Sequence, residues 1–264
     1  MWKPTRALIT GASSGLGESF ARKLAAQGVN LILVARRTDR LLSLSEEVKS
    51  QYGVQVEYLS MDLSNENSAQ NLFEFATVGN KKVDFLINNA GIGPYRPFLE
   101  SSWDDHAKVI NLNIYTLTKL CHLFSKHMIK HGEESSILNI ASVASFHPLA
   151  KFSVYSGSKF FVRNFSDVIR YELRKTNVSV TCLCPGGTGT EFSQNNNQNV
   201  KNSGVLMDAE IVTDAGLRGA FKKKRLIIPG FLNKLNCAFA MVMPNSLNVF
   251  LSDKVMGMAI SQKE

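Results

Sequence analysis

The chain has 264 residues, 44% of them hydrophobic and 20% charged, a balance that can bury a sizeable core and does not fit a disordered chain. Its 30 lysines and arginines against 22 acids give a formal net charge of +8; this suits an anionic ligand, but the basic residues are scattered without an aromatic-studded stripe, which argues against nucleic acid as a partner. The four cysteines form no CxxC pair, and no uninterrupted apolar run approaches 18 residues, so no disulfide framework, metal site or transmembrane helix is expected.

From the amino end, MWKPTR passes directly into the apolar strand Ala7-Leu8-Ile9 with no leader-like pattern, and a reducing, cytoplasmic setting with free thiols is expected. Apolar runs of strand length follow near 5–10, 29–35, 54–59, 83–88, 136–141, 178–184 and 225–229. Helical patterns lie between them, at 15–27, 39–50, 66–77, 103–130, 155–175 and 208–220. Such alternation predicts an α/β fold, a doubly wound parallel sheet of about seven strands covered by helices on both faces. Nothing separates two domains, so a single domain over 1–264 is expected. His127 and His131 share a helix face without a third ligand nearby, and read as a solvated or interface pair. Cys182 and Cys184 lie on one side of a strand and read as packing.

The first strand runs into Gly11-Ala12-Ser13-Ser14-Gly15-Leu16-Gly17 and then an amphipathic helix. Gly11 permits a sharp strand exit, Gly15 lets backbone approach a pyrophosphate, and Gly17 allows tight helix–sheet packing. The helix N-terminus adds amide donors for the anion. The second strand ends in Ala35-Arg36-Arg37 where an NAD site wants an acid. Arg36, helped by Arg37 and a Ser13 hydroxyl, suits the 2′-phosphate of NADP, and NADP (NADPH) is expected over NAD.

Further along, Ser142 closes the fifth strand and Tyr155 and Lys159 stand four apart on a helix, thirteen residues beyond Ser142. An ammonium one turn from a phenol favours its ionised form by Coulomb attraction, so Lys159 is expected to bring Tyr155 closer to working pH.

With these motifs in order, the sequence resembles a short-chain dehydrogenase/reductase of the single-domain, NADP-preferring type, with a Rossmann fold, over essentially all of the chain up to about residue 230. The resemblance implies that Asp62 and Leu63 hold the adenine ring. It implies that Asn89, Ala90 and Gly91 close the fourth strand on the cofactor. By the same likeness Pro185, Gly186, Thr188 and Thr190 contact nicotinamide and pyrophosphate. Asn113 would hold a water linking Lys159 to solvent, and Lys159 would also grip the ribose. The implied chemistry is the interconversion of a carbonyl and a secondary alcohol. Tyr155 is the general acid/base, and Ser142 is hydrogen-bonded to the substrate oxygen.

The segment 190–264 is expected to form the substrate-pocket loop or lid and a C-terminal extension. Phe192, Phe231, Leu232, Phe239 and Met241 make it apolar, which suits a small-molecule substrate that is a hydrophobic ketone such as a 3-oxoacyl chain, a steroid-like ring or a medium-chain carbonyl. Val205, Leu206 and Met207 are expected to close over it, with the polar run Gln194–Asn199 as a mobile loop. Weak contact of the apolar tail with a membrane surface is also open. A homodimer or homotetramer is implied by the resemblance and by Phe124, Phe160, Phe161 and Phe165 on the pairing helices. A second reading is a catalytically idle NADP(H)-binding protein acting as a redox-sensing regulator. The complete set Asn113, Ser142, Tyr155 and Lys159 argues against it, because a sensor has no need of an acid.

Overall fold

The computed structural model describes residues 2–192, 198–200 and 206–262, with side chains omitted at 198–200 and 256–262. Seven parallel strands make one sheet: β1 (Arg6–Thr10), β2 (Asn30–Ala35), β3 (Val56–Ser60), β4 (Phe85–Asn88), β5 (Ser135–Ile140), β6 (Val178–Leu183) and β8 (Leu226–Ile227). Their order across the sheet is β3-β2-β1-β4-β5-β6-β8. The direction of build-up therefore reverses between β1 and β4, and that reversal opens a crevice at the strands' carboxyl ends.

Alternation along each strand feeds two cores. Ala7 and Ile9 of β1, with Leu31 and Leu33 of β2, enter one core beneath the helices α1 (Gly15–Ala25), α2 (Thr38–Tyr52) and α7 (Ala209–Phe221). Leu8, Ile32 and Val34 point to the other face. That face is covered by α3 (Ser68–Thr77), by α5 (Leu117–His131) and by α6 (Ser153–Glu172), with α4 (Trp103–Ile110) packed on α6. Both faces being dry explains why these strands read as continuous apolar runs.

Three regions depart from the sequence expectations. The long fourth helix is not uniform: a π-helical stretch, Asn111–Thr116, joins α4 to α5, the kind of local widening often found at functional sites. The tail forms two helices, α8 (Phe231–Val242) and α9 (Asn245–Ala259). Gly230, at φ 84°, and Pro244 look like breakers in sequence, but they stand just before the two helices, where the backbone amides need no intrahelical partner and such residues are tolerated. Of the polar run expected to be a mobile loop, positions 194–197 lie outside the described residues. Gln198 and Asn199 instead belong to β7 (Gln198–Val200), antiparallel to β9 (Ile260–Gln262); strand pairing uses backbone groups and needs no apolar pattern.

His127 and His131 are tied to the start of β4: the Val83 amide donates to His127 Nε2 at 3.3 Å, and His131 Nε2 lies 3.4 Å from the Val83 carbonyl. They serve packing, not a solvated face. All four cysteines are free and buried. Among the described residues no helix is long and apolar enough to cross a membrane.

Candidate active site

A cleft of about 920 Å³ opens at the carboxyl ends of the strands. It is lined by nearly every residue the sequence singled out: Gly11, Ser13, Ser14, Gly15, Leu16, Arg36, Arg37, Asp62, Leu63, Asn89, Ala90, Gly91, Ser142, Tyr155, Lys159, Pro185, Gly186, Thr188 and Thr190. Gly17 and Asn113 stand behind its wall.

The glycines are demanded by close approach. Gly11 sits at φ 67°, and a Cβ there would lie 2.9 Å from Asn89 Nδ2; at Gly17 a Cβ would meet the Gly11 carbonyl oxygen at 2.1 Å. Asn89 holds this turn, donating from Nδ2 to the carbonyls of Thr10 (2.9 Å) and Gly11 (3.1 Å). The Thr10 hydroxyl accepts from the amides of Asn89 and Ala90, both at 3.0 Å. The glycine loop and the end of β4 are thereby locked together, and Thr10 takes a part in the site that the sequence reading did not assign to it.

The two arginines after β2 differ. Arg36 is exposed at the cleft mouth. Arg37 is engaged: Nε and Nη2 lie 3.3 and 3.2 Å from Ser13 Oγ, and Nη1 pairs with Glu191 at 2.8 Å. Arg40 holds the other Glu191 oxygen at 2.6 Å, and this double pairing keeps the Glu191 carboxyl below its ordinary value. Asp62 is also held low. Burial pushes its carboxyl up, but the Ser64 amide and hydroxyl, donating at 2.9 and 2.7 Å, outweigh it.

At the centre, α6 brings Tyr155 and Lys159 up to the end of β5. Lys159 Nζ lies 5.7 Å from the Tyr155 ring centroid and donates to the Ile140 carbonyl at 2.9 Å. The Ser142 hydroxyl accepts from the Ala144 amide at 3.1 Å and hydrogen-bonds the Tyr155 phenol. The expected acidification of Tyr155 is not present in the chain alone. Burial pushes the phenol up to about 12 although Ser142 opposes it. Burial likewise pushes Lys159 down to about 8, so desolvation sets the direction for both groups.

Asn113, 1% exposed, spends its side chain on protein. Nδ2 donates to the Ile92 carbonyl (2.9 Å) and Ser158 Oγ (3.0 Å), and Oδ1 accepts from the Ile92 amide (3.1 Å). The π turn aims it at the β4 loop and at α6 together, so its amide anchors the site. Gly93 is needed just beyond, since a Cβ there would meet the Tyr155 ring at 2.3 Å.

The outer half of the cleft is built by Leu149, Phe152, Phe192, Phe239, Leu251 and Val255, with Leu206 alongside. Of the apolar residues assigned to it from sequence, Phe231, Leu232 and Met241 instead face solvent, 77%, 75% and 65% exposed, because α8 turns that side outward. Val205 lies outside the described residues. Met207 bridges backbone to backbone with Gly187 and Gly189, at 2.9 and 3.1 Å. His147 and Asn248 also line the cleft; the sequence reading named neither, because Asn248 comes from a helix it did not foresee.

A family profile described as short chain dehydrogenase matches residues 5–201. The chain is 36% identical over 187 residues to sulfoacetaldehyde reductase 2 of Chromohalobacter salexigens, covering 70% of this chain and 73% of that protein. It is 36% identical over 184 residues to the very-long-chain 3-oxoacyl-CoA reductase of Phaeosphaeria nodorum, covering 68% and 53%. A solved short-chain dehydrogenase from Sphingobium yanoikuyae in complex with NADPH superposes with a TM-score of 0.81 at 29% identity, over 90% of this chain and 96% of that one. A crevice at the sheet's reversal point, a glycine turn locked to the end of β4, and Ser142, Tyr155 and Lys159 together at its floor agree with these likenesses: the chain belongs to the short-chain dehydrogenase family.

Proposed function

We propose that the protein is an NADP(H)-dependent oxidoreductase that interconverts a carbonyl and a secondary alcohol on an apolar substrate. The observation that carries this is the meeting of Ser142, Tyr155 and Lys159 in one cleft with the glycine turn. The cradle fits a dinucleotide: Cβ atoms at Gly11 and Gly15 would strike Asn89 and Thr190, each at 2.9 Å, so the turn is narrow enough for backbone amides to reach a pyrophosphate. Arg36, Arg37 and Ser13 favour the 2′-phosphate, and Asp62 and Leu63 flank the adenine position. When bound, the reduced nicotinamide supplies the hydride.

The chain's own residues supply the rest. Tyr155 gives its proton to the carbonyl oxygen as charge develops there, while Ser142 holds that oxygen by hydrogen bonding. A phenol at about 12 is securely protonated for reduction at neutral pH, and positive charge brought in with an oxidised ring lowers it for the reverse direction. Lys159 stands ready to act on Tyr155 and on ribose hydroxyls. The apolar outer walls, Leu149, Phe152, Phe239 and Leu251 among them, exclude water and accommodate a hydrophobic body. An idle sensor is less well supported, because it would bury Lys159 against the dielectric penalty for no return.

A ketone and alcohol panel followed by NADPH absorbance tests the proposal. Tyr155→Phe is expected to keep NADPH binding while lowering kcat by roughly 10²- to 10⁴-fold; unchanged turnover would sink the mechanism. Arg36→Asp is expected to weaken NADPH far more than NADH, and equal losses would refute the 2′-phosphate assignment.

A further inference from the structure

The two tail helices present an apolar face that the described residues leave uncovered. Of the 24 large apolar side chains exposed among those residues, 11 lie between Phe231 and Val255, a crowding far beyond the scattered exposed apolar residues of an ordinary surface. On α8, Leu232, Leu235, Phe239 and Val242 recur at helical spacing along one side, and on α9 Leu247, Leu251 and Val255 do the same. Charge on this face has one sign. Asp253 is the sole acid from residue 215 to residue 263, and it is paired with Lys151 at 3.6 Å. Lys234 and Lys254 pair with no carboxylate among the described residues. Lys254 Nζ stands 4.5 Å from the ring centroid of the exposed Phe250, a charged tip above an apolar body. The face is also continuous with the cleft, because Phe239, Leu251 and Val255 are exposed and line it at the same time.

We propose that α8 and α9 seat the protein on the surface of an anionic lipid bilayer, with the mouth of the cleft turned toward the lipid. Among the described residues no helix is long and apolar enough to span a membrane, so the contact lies in the plane of the headgroups. There the apolar side chains enter the acyl boundary while Lys234 and Lys254 meet lipid phosphates and carboxylates. Charge selects this occupant over a second copy of the chain. A two-fold contact sets the same patch on both protomers; it would bring lysines to a face whose one carboxylate is already engaged with Lys151. A protein seated there would also cap the cleft at Phe239, Leu251 and Val255. A bilayer instead offers hydrocarbon and negative charge together, and leaves the mouth open to lipophilic molecules dissolved in it.

Vesicle flotation tests this without nucleotide or ketone, so its outcome does not depend on the oxidoreductase reading. The full chain is mixed with vesicles of phosphatidylcholine alone, or with about one third phosphatidylserine, at about 0.15 M salt. It is expected to float with the anionic vesicles and to partition onto them about tenfold more than onto the neutral ones. Leu232→Gln combined with Leu235→Gln changes no charge and is expected to lower partition onto anionic vesicles about tenfold. Lys234→Gln combined with Lys254→Gln is expected to bring the two vesicle types within about twofold of each other. NADPH titration by fluorescence reports that each variant folds. Failure to float with either vesicle overturns the proposal. So does binding that survives the leucine substitutions, which would be adhesion by net charge alone, or a preference for anionic lipid that survives the lysine substitutions. Light scattering in which the leucine variant loses half the mass of its parent would assign the face to a second copy and overturn it as well.

Discussion

Lys159 shows at the residue scale what the candidate site costs the fold. Its ammonium is 5% exposed, makes its hydrogen bond to the Ile140 carbonyl, and is pushed from 10.5 to about 8 by burial. Between about pH 8 and 10.5 the unfolded chain therefore holds a proton that the folded chain has released, so stability rises with pH across that window and is lost as pH falls back through about 8. Tyr155 works in the opposite sense above pH 10, because its folded value of about 12 exceeds the unfolded 10.0; the clean window is therefore pH 8 to 10. At neutral pH the buried charge costs on the order of 3 kcal/mol, of which about 1 kcal/mol is offset by the bond to Ile140. Lys159→Met is accordingly expected to raise Tm by roughly 5 °C, to flatten the rise in stability between pH 8 and 10, and to abolish turnover. Thermal melts at pH 7 and pH 10 check this; a variant less stable than its parent, or one with the same pH slope, would refute it. Two residues with opposite shifts were readable as a pair in YxxxK, but their shifts were not. Spacing gives proximity, whereas desolvation depends on what else packs there.

At the scale of elements, the segment that follows β6 connects the two halves of the cleft. Glu191 lies between Arg37 and Arg40, at 2.8 and 2.6 Å, on the same guanidinium that reaches Ser13. A 2′-phosphate arriving at Ser13 and Arg37 meets this carboxylate as a like charge. Glu191→Gln is therefore expected to tighten NADPH several-fold with little change for NADH, measured by fluorescence titration of both; equal shifts for the two nucleotides would show that Glu191 plays no part in the choice. The core elements were legible because buried parallel strands and amphipathic helices have distinct periods, and β1, β2, β5 and β6 fall within a residue or two of their expected places. The elements that shape the outer cleft were not. Seen as sequence, Pro229, Gly230 and Pro244 look like interruptions, yet they introduce α8 and α9, and α9 is what carries Asn248 to His147. The π turn was equally invisible, since the apolar pattern runs through Asn111–Thr116 without a Gly or Pro to mark a change of helix type. Glu191 went unmarked because an acid in a loop has no local signature; only the fold brings it to Arg37.

For the molecule as a whole, the question is which apolar face is covered. Phe124, expected on an outward face, is fully buried against Phe73, 5.2 Å between ring centroids. The outward stripe of α6 is real nonetheless. Phe161 stacks on Phe165 at 5.5 Å, and Phe161, Val168 and Tyr171 are exposed at spacings that place them along one side of the helix. Ile110, Tyr115 and Ile129 on the α4–α5 helix are exposed as well. A second copy of the chain, pairing these helices about a two-fold axis, would cover both stripes with the same patch on each protomer. A competing surface exists on α8, where Phe231, Leu232 and Leu235 are exposed, part of the tail for which the sequence left weak contact with a membrane surface open. Charge substitutions distinguish the two, since burying an unpaired carboxylate in an interface is strongly unfavourable. Light scattering of the unmutated protein is expected to give at least twice the chain mass. Val168→Asp combined with Tyr171→Glu is expected to return a monomer that still binds NADPH, and Leu232→Glu to leave the mass unchanged. A monomeric parent would overturn the pairing outright, and dissociation by Leu232→Glu alone would move the interface to α8.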